Sequence, residues 1–126
     1  MSDLNILAGT TGFTAVSEAG AGVLTIRGRL DFTTHQRAAE FFEQAFALFG
    51  PNLVVNLLEV DFLDSRATGL IVSCWRRAVD EGGRLALVAV ERGSARVLWI
   101  TGITTRVPVF PTVADALAAQ APPPPS

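Results

Sequence analysis

The stretch Asp64-Ser65-Arg66-Ala67-Thr68-Gly69 sets a hydroxyl between a carboxylate and a guanidinium, just ahead of an amphipathic run. Asp and Ser are favoured where helices start, because a side-chain oxygen there accepts an orphan backbone N–H, and capping alone accounts for the pair. The phase of the run adds a second reading. Ala67, Leu70, Ile71, Cys74, Trp75, Ala78 and Val79 recur at spacings of three and four and define one apolar helical face, starting at about Arg66. Carried back, that phase sets Ser65 with Gly69 and Ser73, away from Trp75, so its hydroxyl is expected to reach solvent. A phosphate there would meet free backbone N–H groups and the positive end of the helix dipole. It would also add about two negative charges to the surrounding surface. Gly69, one turn on, leaves the backbone open to a close partner.

Other residue groupings carry less. Glu59, Asp61 and Asp64 place three carboxylates within six residues. A divalent cation could use them, but the same pattern is an ordinary polar strand end and turn. His35 is the only imidazole, in the first turn of a predicted helix, with no nucleophile motif around it. Cys74 lies on the apolar helical face, where a thiol acts as a small hydrophobe. As the single Cys, it allows no disulfide within the chain. Neither "GAG" (20–22) nor "EGG" (81–83) has the spacing of a phosphate-binding loop. No catalytic residue, metal site or cofactor is therefore expected, and the chain is not read as an enzyme. Its ten basic residues are all Arg, scattered in a chain of net charge −2, so nucleic acid is not the expected partner. No apolar run approaches the ~18 residues of a membrane span, and "MSDLNILAGTTGF" lacks the pattern of a signal peptide. A cytoplasmic protein without membrane insertion is the expectation.

The elements that must position these residues follow from the periodicity. With 126 residues, 49% of them hydrophobic, the chain suffices for one domain with its own core. Extended segments at 13–17 and 22–28 flank a Gly/Ala turn, and "LNIL" near the start is either a short strand or an arm. Thr33 or Thr34 can cap a helix whose apolar face is Ala38, Phe41, Phe42, Ala45, Phe46 and Phe49, ended by Gly50-Pro51. Leu53 to Val55, with Leu57 and Leu58, reads as a strand covered on both faces. The motif helix runs to Gly82-Gly83, and "RLALVAV" is another buried strand. A short helix in "SARVLWITG" leads to "VPVF", an edge strand because Pro108 has no N–H to donate. A closing helix capped by Thr112 precedes "APPPPS". The order β-β-α-β-α-β-α-β-α predicts an α/β fold: a mixed, mostly parallel sheet of about five strands covered by about four helices. The expected organisation is an arm at 1–12, one domain at 13–120 and a disordered Pro-rich tail at 121–126.

The segment "VVNLLEVDFLDSRATGLIVSCWRRA" resembles the central motif of anti-sigma factor antagonists of the STAS domain family, in which a buried strand leads into Asp-Ser at a helix start. "IRGRLDFTT" is similar to that family's strand end before the first helix, with Asp31 as its Asp, and "GGRLALV" and "VLWITGI" through "VADALAA" fit the later elements. The resemblance spans roughly residues 13–119. It implies a protein-interaction switch in transcription regulation and stress response. The antagonist binds a serine kinase that is also an anti-sigma factor, releasing the sigma factor. The kinase phosphorylates the Ser of the motif, the complex separates, and a serine phosphatase resets it. Carried over, Ser65 is the phosphoacceptor. Asp31, Thr33, Asp64, Arg66, Ala67, Thr68 and Gly69 form the partner surface, and the protein is a monomer or weak dimer. Arg66, Ala67 and Thr68 depart from the family's Ser-Gly-Leu. Arg66 could pair with a phosphate on Ser65, select a kinase with an acidic patch, or, as a bulky cation beside the acceptor, impede phosphorylation. The alternative implied function is a STAS scaffold that is not phosphorylated, a subunit of a stress-signalling or lipid-transport complex.

Overall fold

A computed structural model describes residues 4–8, 11–91 and 93–120. Six strands form one sheet in sequential order, β1 (Leu4–Ala8), β2 (Thr11–Glu18), β3 (Ala21–Leu30), β4 (Asn52–Leu63), β5 (Arg84–Val88) and β6 (Val109–Phe110). The first two pairings are antiparallel and the last three parallel. The helices are α1 (His35–Phe49), α2 (Ser65–Asp80), α3 (Val97–Ile100) and α4 (Val113–Gln120), with short 3-10 turns before and after α3. This is the mixed α/β sheet expected, with one strand more: the arm at 1–12 contains β1 and the start of β2. The expected tail at 121–126 lies outside the described residues.

The unbroken apolar run in β4 has a direct cause. Leu53 and Val55 face a core shared with Phe41 and Phe42 of α1, Ile71 and Cys74 of α2 and Leu98 of α3. Val54 points the other way, into a smaller cluster with Ala116 of α4. Successive side chains of a strand point to opposite faces, so a strand covered on both needs apolar residues at consecutive positions. The pattern then changes. Between Thr25 and Arg27, and again between Gly28 and Arg29, the register against β3 slips as β4 takes up one extra residue each time. Beyond Asn56 the buried positions of β4 therefore recur every third residue: Leu57, Val60, Leu63. Bulges of this kind re-aim side chains and cluster near functional sites. They also overturn the reading of Leu58 as a core residue, which is 46% exposed.

Two other local expectations change. Thr34 occupies the cap position of α1, but its hydroxyl makes no cap bond. Val79 is exposed, while Thr68 is buried on the core side of α2.

Gly82 and Gly83, which end the motif helix, act differently. Gly82 has φ +82°, the left-handed conformation that a side chain disfavours. Gly83 is tight for space: a Cβ there would overlap the Pro51 carbonyl, which accepts the Arg84 N–H at 3.1 Å. Backbone cannot yield as a flexible side chain can. Gly83→Ala is therefore expected to cost about 1–3 kcal/mol of stability by overpacking, read as a lower urea midpoint with unchanged slope.

Candidate functional site

The site forms where the C-terminal ends of β3 and β4 lie side by side and each chain turns into a helix. Leu30 and Leu63 are register partners there, and the Asp64 N–H donates to the Leu30 carbonyl at 3.3 Å. Asp64 fastens both turns with one carboxylate. Its Oδ1 accepts the Ala67 N–H at 2.9 Å, capping α2. Its Oδ2 accepts the Phe32 N–H at 2.9 Å, holding the β3–α1 turn across 32 positions of sequence.

Asp31 organises that second turn from within. Its Oδ1 accepts the Thr33 N–H at 2.9 Å and the Thr33 hydroxyl, and its Oδ2 accepts Arg29 Nε at 3.0 Å. Thr34 Oγ1 accepts the Asp31 N–H at 3.1 Å and donates to the Arg29 carbonyl, which is why it does not cap α1. The Thr33 hydroxyl, opposed by desolvation and assisted by Arg29, holds the Asp31 carboxyl below its ordinary value of 3.8. A carboxylate whose pKa is lowered by folding stabilises the fold above its unfolded value, and that contribution is lost as pH falls through the folded value. Stability should therefore drop below about pH 3.8 in the native chain, and Asp31→Asn should flatten that acid limb. Urea midpoints measured from pH 5 down to pH 2 check this; parallel curves for the two proteins would refute it.

The sequence-predicted surface residues separate into two groups. Ser65, Arg66, Gly69 and Thr33 are exposed and Asp64 is half-buried. Asp31, Ala67 and Thr68 are buried at 2%, 2% and 7% exposure, so they underlie the surface and do not form it. The reason is helical phase for Ala67 and Thr68, which turn toward the sheet, and the closed hydrogen-bond knot for Asp31. Ser65 is the first residue of α2, and among the described residues its hydroxyl has no hydrogen-bond partner.

Phe32, absent from the sequence-derived set, is 68% exposed beside the turn that Asp64 holds. Strand alternation carried past Leu30 would bury it, but the turn at Asp31 rotates it outward. The available signal was its position, an aromatic directly after the Asp of a strand end. A groove of about 590 Å³ also opens beside Ser65, bounded by Gly69, Ser73 and Arg76 of α2 and by Thr105 and Arg106 after α3.

Residues 13–116 match the STAS domain family. The chain belongs to it. This STAS domain resembles an anti-sigma factor antagonist from Mycobacterium paratuberculosis, with TM-score 0.81 and 25% identity over 91% of this chain and 98% of that one. It also resembles an anti-sigma-factor antagonist (STAS) domain protein from Planctomyces limnophilus, with TM-score 0.75 and 28% identity over 86% and 97% of the two chains. The Bacillus cell fate determinant SpoIIAA in its phosphorylated form shares the fold, with TM-score 0.63 and 19% identity over 85% and 97%. No curated protein matches the sequence.

The remaining candidates of the STAS domain do not assemble into a site. Glu59 pairs with Arg27 at 3.0 Å and both Asp64 oxygens accept backbone N–H groups, so the three carboxylates do not converge. Among the described residues no three potential ligands group around a cation position. His35 opens α1 with a buried Nδ1 that has no partner among the described residues. Burial pushes the Cys74 thiol up to about 12, leaving it protonated in the core. Among the described residues no helix is long and apolar enough to cross a membrane.

Proposed function

We propose that this STAS domain is a cytoplasmic anti-sigma factor antagonist that acts by binding rather than by catalysis. It captures a serine-kinase anti-sigma factor through the surface around the start of α2. Phosphorylation of Ser65 by that kinase ends the contact, and a serine phosphatase restores it. The observation that carries this reading is Ser65 itself. Its hydroxyl is exposed and uncommitted at the first position of a 16-residue helix. The turn before it is fixed by Asp64 to the neighbouring loop, which presents Phe32.

Such a surface suits a reversible contact. An exposed aromatic beside a rigid turn supplies an anchor of the kind that dominates binding energy. A phosphate placed among the contact residues has to be desolvated and repels nearby acids, so a local charge suffices without a change of fold. A relative of the same fold was solved in a phosphorylated form, which supports the reading.

The direct test is capture from native lysate with the tagged chain, with and without ATP, followed by mass spectrometry of the captured proteins and of Ser65. The expected result is a kinase retained without ATP and released with it, with one phosphate on Ser65. Retention unaffected by ATP, with Ser65 unmodified, favours the scaffold reading. Arg66 supports that second reading, because a bulky exposed cation adjoins the acceptor where the family pattern has a small Ser.

A further inference from the structure

We propose that the groove beside Ser65 receives an extended acidic segment of the protein partner, held by Arg76 and Arg106. The proposal rests on the reading of α2 as a protein-binding surface and names the chemistry of what binds. The groove is lined by two guanidinium groups and several hydroxyls, and no carboxylate is among its lining residues. That is a local excess of positive charge on a chain of net charge −2. Both arginines are exposed, and among the described residues neither forms an ion pair, whereas Arg27, Arg29 and Arg77 all do. They are cations held ready at a concave surface, the condition under which charge steers and selects a partner.

The dimensions favour a segment over a small ion. Ser65 and Arg76 lie eleven positions apart on α2, a rise of about 16 Å. An extended chain covers that length with about five residues at ~3.3 Å each. The Ser73 hydroxyl lies between them and has no hydrogen-bond partner among the described residues. Ser65 lines the same groove. A phosphate there places about two negative charges in a channel already holding acidic side chains. Repulsion along the groove then couples the modification to release, without any part of the fold moving.

The experiment is a site-resolved NMR titration of the full 15N-labelled chain with pentaglutamate, with pentalysine, pyrophosphate and matched sodium chloride as controls. Pentaglutamate is expected to move the amide signals of Gly69, Ser73, Gly102 and Thr105 as one cluster. The double variant Arg76→Glu/Arg106→Glu should weaken that response at least tenfold, and Ser65→Asp several-fold. Both arginines are exposed, so the variants keep the fold, which the unshifted core signals verify. Shifts elsewhere, or shifts unchanged in the double variant, overturn the proposal. Pyrophosphate matching pentaglutamate in affinity overturns it too, by marking a small-anion pocket. If instead Ser65 is never phosphorylated in lysate while the titration behaves as expected, the kinase reading fails and the groove stands. A captured partner indifferent to the double variant defeats the groove alone.

Discussion

Ser65→Asp is expected to weaken partner binding by about ten- to a hundredfold, or ~1.4–2.7 kcal/mol, while leaving the fold as stable as before or slightly more so. The two effects have opposite signs for a physical reason. At the first position of α2 a negative charge faces the positive end of the helix dipole, worth about 0.3–1 kcal/mol to the isolated chain. In the complex the same charge has to shed water inside the contact and repels acids of the partner. Ser65→Ala should do neither. The hydroxyl has no partner to lose among the described residues, so stability should stay within about 0.5 kcal/mol. Titration calorimetry against the captured partner, with urea midpoints for all three proteins, reads both quantities. A loss of binding in Ser65→Asp accompanied by an equal loss of stability would point to damage and not to a switch. Equal binding by the Asp and Ala variants would leave the scaffold reading.

Arg66 does not offset this effect. Consecutive helical residues diverge by about 100°, so their side chains do not face each other. Arg66 lies outside the groove that Ser65 lines, which disfavours its pairing with a phosphate on Ser65.

How far the sequence carried this picture depends on which interactions were local. The apolar face of α1 was readable because Ala38, Phe41, Phe42, Ala45 and Phe46 all turn to the same core. Pro108 correctly marked the edge strand, where the last pairing is only two residues long. The solvent-facing phase of Ser65 was likewise a property of one helix. What could not be read depends on contacts distant in sequence. The bulges of β4 exist only against β3, and they move Leu58 outward and bring Leu63 and Asp64 to the site. Asp64 was legible as a cap, but its second bond is to Phe32, and no spacing rule reaches across that distance. Burial of Asp31 comes from its hydrogen bonds to Thr33 and Arg29, which periodicity does not record, whereas Thr68 has the phase of the buried Ile71 and was obscured only by its polar side chain. Arg76 and Arg106 meet across a groove formed by elements thirty residues apart, so each looked like an isolated surface charge.

The double attachment of Asp64 predicts a graded series in which the two bonds come apart. Asp64→Ala removes both, and is expected to cost about 2–3 kcal/mol: ~1 for the lost cap, and somewhat more for a carboxylate bond to a backbone N–H that ties two loops. Asp64→Asn should cost about 1–2 kcal/mol, the loop tie alone, because Asn caps helices as well as Asp does. Its single carbonyl oxygen can still accept the Ala67 N–H, but its amide nitrogen is a donor and cannot accept from Phe32. Asp64→Asn therefore keeps α2 while releasing the turn that carries Phe32. Partner binding should fall in both variants by a similar factor, although their stabilities differ. Urea unfolding gives the first comparison, calorimetry against the captured partner the second, and hydrogen exchange at Phe32 the link between them. If Asp64→Asn loses stability as Ala does, the cap and the loop tie are not separable. If it binds as the native chain does, the tie to Phe32 has no part in recognition. The series thus separates what Asp64 does for the fold from what it does for the contact, which the position of Ser65 alone cannot.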